Sequence, residues 1–216
     1  GGKDMNAAIK ALHLRKAYQQ NRVIEDLSLE VAEGERRAIL APSGCGKTTL
    51  LRLLAGLEKP DSGEIFIKSP VAYVFQEPRL LPAFTVLENV SAVLTGREKK
   101  KMAAEWLLKV GLQKEDFDKL PSEISGGMAQ RVALARALST QREIFFFDEP
   151  FKGLDEESKN ALMHLLHQVL SEKTVLFVTH DEGEAQALGA HPLRFSKGMV
   201  LLSNGEEQTA KAAKIE

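Results

Sequence analysis

Residues 41–56 read APSGCGKTTLLRLLAG, and the fold turns on how they are read. The phosphate-binding pattern G-x-x-x-x-G-K-[ST] fits at Gly46, Lys47 and Thr48, while Ala41 holds the position of its first glycine. The apolar run RRAIL (36–40) before it reads as a buried strand. After it, Leu50, Leu51, Leu53, Leu54 and Leu57 recur at helical spacing until GLEKPDSG (56–63) stops the helix. A strand, a glycine-bearing turn and a helix therefore follow in the order that a phosphate loop requires. Backbone N–H groups in such a turn point inward, and the helix N-terminus adds partial positive charge, so a di- or triphosphate is bound. Pro42, Ser43, Gly44, Cys45, Gly46, Lys47, Thr48 and Thr49 then line the nucleotide. Lys47 bridges the β- and γ-phosphates and the Thr48 hydroxyl takes one position on Mg2+. Glycine is required at position 41 only if φ is positive or no methyl group fits, so Ala41 predicts a negative φ with room for a Cβ. The competing reading is a turn that only caps a core helix.

EIFFFDEP (143–150) supplies the second half of such a site. Ile144 to Phe147 are too apolar for a surface strand, so they deliver Asp148 and Glu149 to the C-terminal edge of a buried parallel sheet. Asp148 is predicted to hold Mg2+ and Glu149 to polarise the attacking water as general base. The plainer alternative has both acids capping the next helix. Pro150 argues against it, because that helix begins nearer Asp155.

The rest of the chain fits around these two segments. Ala8 to Leu14 and Ser28 to Val31 alternate apolar with polar, as in a small antiparallel sheet, and short strands follow near Glu64 to Ile67 and Val71 to Phe75. From about 85 to 140 no strand pattern occurs, and TVLENV, KKMAAEWLLKVGL and GMAQRVALARAL read as helices. Beyond EIFFF the pattern returns to helix, strand (TVLFVTH), helix, and PLRFSKGMVLLSNG reads as a hairpin. The expected fold is α/β: a P-loop NTPase core with a mainly parallel sheet, an N-terminal antiparallel β subdomain and an inserted α-helical subdomain.

With 29 Lys+Arg against 30 Asp+Glu, the formal net charge of -1 gives no electrostatic case for nucleic acid or a lipid surface. A single cysteine, Cys45, excludes an intramolecular disulfide and suits a reducing compartment. No apolar run approaches the ~18 residues of a membrane span, and the N-terminus lacks signal-peptide character. The expectation is one domain over 5–204, with the helical subdomain at about 85–140. Residues 1–4, ahead of Met5, are read as an expression remnant and 205–216 as a polar tail, with no regulatory module expected after Asn204.

APSGCGKTT, VFQEPRLLP, ISGGMAQR, FFFDEPFKGLD and VTHD occur in this order. The set resembles the ATP-binding cassette proteins that power membrane transporters, over about Ala8 to Asn204. Its most specific element is ISGGMAQR, since Walker-type motifs belong to many NTPases whereas S-G-G ahead of a helix marks this family. LLPAFTVLENV and DEPFKGLD look most like the importer subfamily for nitrate, sulfonate, taurine and thiamine precursors.

That resemblance implies an ATPase that uses ATP and Mg2+, with further residue roles. Tyr18 would stack on adenine. Gln76 would touch Mg2+ and the attacking water, while the loop after it meets the membrane partner. His180 would hydrogen-bond the γ-phosphate. Ser125, Gly126 and Gly127 would meet the γ-phosphate held by a second copy, in a head-to-tail dimer that Asp155 crosses. The implied partners are that second copy or a similar cassette, transmembrane permease subunits and an external solute-binding protein, with no nucleic acid. The implied location is cytoplasmic, peripheral on the inner face of the cell membrane. KGLD and ISGG depart from the commoner SALD and LSGG, and the segment between Thr48 and Gln76 is short enough to have lost one hairpin. Two alternatives stand beside the importer: a soluble cassette protein outside transport, and a nucleotide-binding regulator without hydrolysis.

Overall fold

The computed structural model describes residues 7–19, 21–40, 44–196 and 199–201. Two sheets divide the chain. β1 (Ala7–Tyr18), β2 (Asn21–Ala32) and β4 (Ser62–Ile67) form an antiparallel sheet in the order β2-β1-β4. β3 (Arg36–Leu40), β5 (Val71–Val74), β6 (Ile144–Asp148), β7 (Thr174–Thr179), β8 (His191–Ser196) and β9 (Met199–Leu201) form the second, ordered β5-β6-β7-β3-β8-β9. Its pairings are parallel except for β8 with β9, which is the expected terminal hairpin.

The apolar run of β6 explains the layering. Successive side chains of a strand point to opposite faces, so a strand covered on both sides must be apolar at every position. Phe145 and Phe147 join a core with Phe177, Leu134, Leu138, Leu162 and Leu166, whereas Ile144 and Phe146 join one with Leu50, Leu51, Leu176 and Phe195. Each fully buried phenylalanine stabilises the fold by roughly 1.5–3 kcal/mol. α4 (Gly126–Leu138) and α5 (Glu156–Val169) supply one face, and α1 (Lys47–Leu54) with the antiparallel sheet supplies the other.

α1 ends as its sequence dictates. Gly56, at φ +70, lets its N–H reach the Leu53 carbonyl at 3.0 Å while Leu57 N–H reaches that of Arg52 at 2.9 Å, a left-handed closure that glycine adopts without strain.

Between β5 and β6 the described residues are helical, as expected: α2 (Val86–Ser91), α3 (Lys99–Lys109), two short 3-10 turns and α4. Thr85 and Glu88 close α2 with a capping box. Fully buried Asn89 fastens α2 to the preceding loop: its amide donates to the carbonyls of Leu81, Phe84 and Thr85, and its oxygen accepts from Leu81 N–H at 2.7 Å. α6 (Glu182–Ala187) lies between β7 and β8.

Candidate functional site

The register of the parallel strands brings the predicted groups to one edge. Leu40, the last residue of β3, lies opposite Thr179 of β7; Val178 lies opposite Asp148 of β6; and Phe147 lies opposite Val74 of β5. The phosphate loop, the Asp148–Glu149 pair, His180 and Gln76 therefore all emerge from the C-terminal ends of neighbouring strands. In open α/β sheets that edge is where ligands bind.

A cavity of about 300 Å³ opens there, lined by Val23, Gly44, Gly46, Lys47, Thr48, Thr49, Gln76 and Glu149. Gly46 precedes α1 at φ +91 and no side chain caps the helix, so its first-turn N–H groups keep the anion-binding capacity of an uncapped N-terminus. A Cβ on Gly46 would stand 2.5 Å from Val23 Cγ1. Gly44, also at φ +83, has open space around it. Cys45 is half-buried between them, and Ala41, Pro42 and Ser43 lie outside the described residues.

The charged groups meet at the cavity floor. Lys47 is buried, with its ammonium 3.6 Å from Glu149 Oε1, and Gln76 Nε2 donates to Glu149 Oε2 at 3.4 Å. Glu149 has φ +46, a left-handed conformation that costs a non-glycine residue of order 1–3 kcal/mol and recurs where a side chain is held for function. Its N–H donates to the Val178 carbonyl at 2.9 Å, which fixes the turn to β7. Asp148 is buried and accepts from the Thr48 hydroxyl. Burial pushes its carboxyl above the usual range, helped by the Glu149 charge and opposed by the Thr48 bond and Lys47. The Tyr73 phenol is pushed up by burial and then by the negative charge of Asp148.

Mg2+ is tested by this donor set. A carboxylate and a hydroxyl in mutual contact, with a primary amide nearby, are hard oxygen donors, and few of them are needed where phosphates complete the coordination. The residues fit the ion.

The remaining predicted residues lie outside the cavity lining. Tyr18 ends β1, 43 % exposed, and its hydroxyl donates to Glu58. His180 follows β7 directly and is exposed. Ser125 caps α4 by accepting from Met128 N–H at 3.2 Å; Gly126 has open space around it, and a Cβ on Gly127 would stand 3.4 Å from Leu154 Cδ2. Asp155 is exposed and caps α5, accepting from Ser158 N–H at 2.9 Å. Val23 and Tyr73 are site neighbours that the sequence reading did not single out. Alternation along β2 and β5 marks them only as inward-facing, and their contact with Gly46 and Asp148 depends on tertiary packing.

Comparison with known proteins agrees with this fold. Residues 24–152 match the family model described as ABC transporter. Aliphatic sulfonates import ATP-binding protein SsuB 1 of Rhodococcus jostii is 45 % identical over 179 residues, covering 79 % of this chain and 72 % of that protein. SsuB 3 of Paraburkholderia xenovorans is 41 % identical over 198 residues, covering 91 % and 80 %. Among solved structures, the dimeric ATP-binding cassette MJ0796 in a post-hydrolysis state with ADP and Pi superposes with a TM-score of 0.83 at 29 % identity, covering 94 % of this chain and 99 % of that one.

Proposed function

Because this chain belongs to the ABC transporter family, we propose that it is the ATP-hydrolysing subunit of an importer and works as a head-to-tail dimer beneath separate permease subunits. The observation that carries this reading is the convergence of Lys47, Thr48, Asp148, Glu149 and Gln76 around one uncapped helix N-terminus.

The first-turn amides of α1 and the Lys47 ammonium bind the triphosphate, and Tyr18 stacks on adenine, its ring steadied by the bond to Glu58. Phosphate oxygens compete for Lys47, which frees the Glu149 carboxylate to meet water. Glu149 accepts a proton from that water while Gln76 and His180 orient it toward the γ-phosphorus; the oxygen–phosphorus bond forms as the bond to ADP breaks, giving ADP and phosphate. Thr48, Asp148 and Gln76 would hold Mg2+, which neutralises phosphate charge when bound. Ser125, Gly126 and Gly127 line no part of the chain's own cavity, consistent with a role on the γ-phosphate of a partner copy, with Asp155 at the same interface. We read the chain as one cassette over 5–204 with the helical subdomain at about 85–140.

No helix among the described residues is long and apolar enough to cross a membrane. On this reading the cassette passes its motion to separate permease chains. We assign the permease contact to the loop after Gln76, where Leu81 and Phe84 are exposed. This puts the subunit at the inner membrane face. The relatives' names favour a sulfonate-type importer, which also needs an external solute-binding protein. ATP turnover by purified protein tests the enzyme claim. Wild type should exceed Glu149→Gln by about 100-fold or more, and equal rates would reject it. Co-purification from native membranes tests the transport claim: recovery with permease chains supports it, and recovery with ribosomes alone counts against it.

A further inference from the structure

Apart from the nucleotide cavity, the described residues hold a second, part-buried ionic cluster, where α5 begins and β7 ends. Lys159 lies one helical turn after Asp155, its side chain only 16 % exposed. Its ammonium donates to Glu184 Oε1 at 2.8 Å and to Asp181 Oδ2 at 3.1 Å. Both carboxylates are engaged further. Glu184 Oε2 accepts from the Thr179 hydroxyl at 2.6 Å, and Thr179 Oγ1 accepts from Asp181 N–H at 3.0 Å. Asp181 Oδ1 caps α6 by accepting from Gly183 N–H at 2.7 Å.

His180 is the residue between Thr179 and Asp181. Both neighbours are tied into the cluster while its own ring is exposed, so the cluster fixes the backbone that aims the imidazole. Asp181 is half exposed while Lys159 and Glu184 are largely enclosed, so loss of the Lys159 ammonium leaves the Glu184 carboxylate without its cation and the cluster free to rearrange. The link also reaches sideways. Lys159 N–H donates to the Asp155 carbonyl at 2.9 Å, so one helical turn joins the side chain proposed for the subunit interface to the cluster behind His180.

We propose that Lys159 is a positioning residue for hydrolysis: through Asp181 and Glu184 it holds His180 in register with the turn that carries Asp155. This rests on the reading of His180 as the γ-phosphate contact. A misplacement of about 1 Å at a group that orients the reactants costs as much as 100-fold in rate.

The test compares wild type, Lys159→Met, Lys159→Arg, Glu184→Gln and His180→Ala in ATP turnover, with ATP affinity measured by calorimetry. Lys159→Met and Glu184→Gln should lower kcat about tenfold or more with KM and affinity within about twofold, and Lys159→Arg should restore most of the loss. Turnover near wild type in both Lys159→Met and Glu184→Gln overturns the proposal. So does a loss that Lys159→Arg fails to rescue, or one that moves affinity together with kcat, since either marks a structural defect only. Should Lys159→Met fail to fold, Glu184→Gln, nearly isosteric, decides alone. His180→Ala separates the two readings. If it hydrolyses ATP normally, the γ-phosphate role of His180 fails; if it is inactive while the cluster variants are active, only the Lys159 proposal fails.

Discussion

At the residue scale, the site depends on a few positions where one atom changes the outcome. Lys47→Ala should abolish ATP binding, because among the described residues no other ammonium lines the cavity to balance the triphosphate; unchanged heat of ATP binding and unchanged turnover would refute the assignment. Gly46→Ala meets two obstacles, a φ of +91 and a contact 2.5 Å from Val23 Cγ1. It should cost roughly 1–3 kcal/mol in urea unfolding, and adding Val23→Ala should recover only the part due to the clash. A wild-type midpoint for Gly46→Ala would disprove this geometry. Cys45, half-buried in the same turn, should be protected from alkylation by ATP, with equal labelling in the presence and absence of nucleotide as the contrary result. The sequence named Lys47, Thr48, Asp148 and Glu149 because spacing along one chain segment carries their roles. It did not name Lys159, whose partners Asp181 and Glu184 are 22 and 25 residues away, because that contact exists only once α5 packs against the start of α6.

At the scale of elements, helix ends and the junction after Gln76 hold the parts in register. Hydrogen bonds from Ser158 hold the Asp155 carboxyl below the usual carboxylate range, and the Lys159 bond does the same for Asp181. A carboxylate with a depressed folded pKa stabilises the native state above its unfolded value, about 3.9, and that contribution disappears as pH falls through the folded value. Thermal stability should therefore fall with pH below about 4, less steeply in Asp155→Asn, and parallel pH profiles for the two proteins would contradict the cap's share in it. Asn89→Leu removes the partner of the Leu81 N–H and of the Phe84 carbonyl, while the Leu81 and Thr85 carbonyls keep their backbone donors, for a loss of roughly 1–3 kcal/mol. A chemical-denaturation midpoint equal to wild type would show that water replaces those bonds. Helical periodicity located α2 and α4 in the sequence, but the tie from Asn89 back to the loop was not legible there. An asparagine inside a helical pattern carries no sign of whether it faces water or a chain turn.

At the scale of the whole molecule, one copy supplies a phosphate cradle, and the Ser125 cap lies outside its lining. Glu149→Gln should accumulate as an ATP-bound dimer by size-exclusion chromatography, and a monomer with ATP bound would contradict the two-copy site. Wild-type turnover per subunit should rise with protein concentration until the dimer saturates. By itself the sequence determined the strand–loop–helix unit, the apolar strands on either side of it and the order of motifs, because these follow from local backbone chemistry and side-chain periodicity. The tertiary structure alone decided which groups meet. Parallel register aligned Asp148 with Val178 and Thr179 with Leu40, burial raised the Asp148 carboxyl, and packing of α5 against the start of α6 assembled the Lys159 cluster behind His180. The physical reason is that distances, desolvation and charge pairing arise between segments distant in the chain, and no local pattern encodes them.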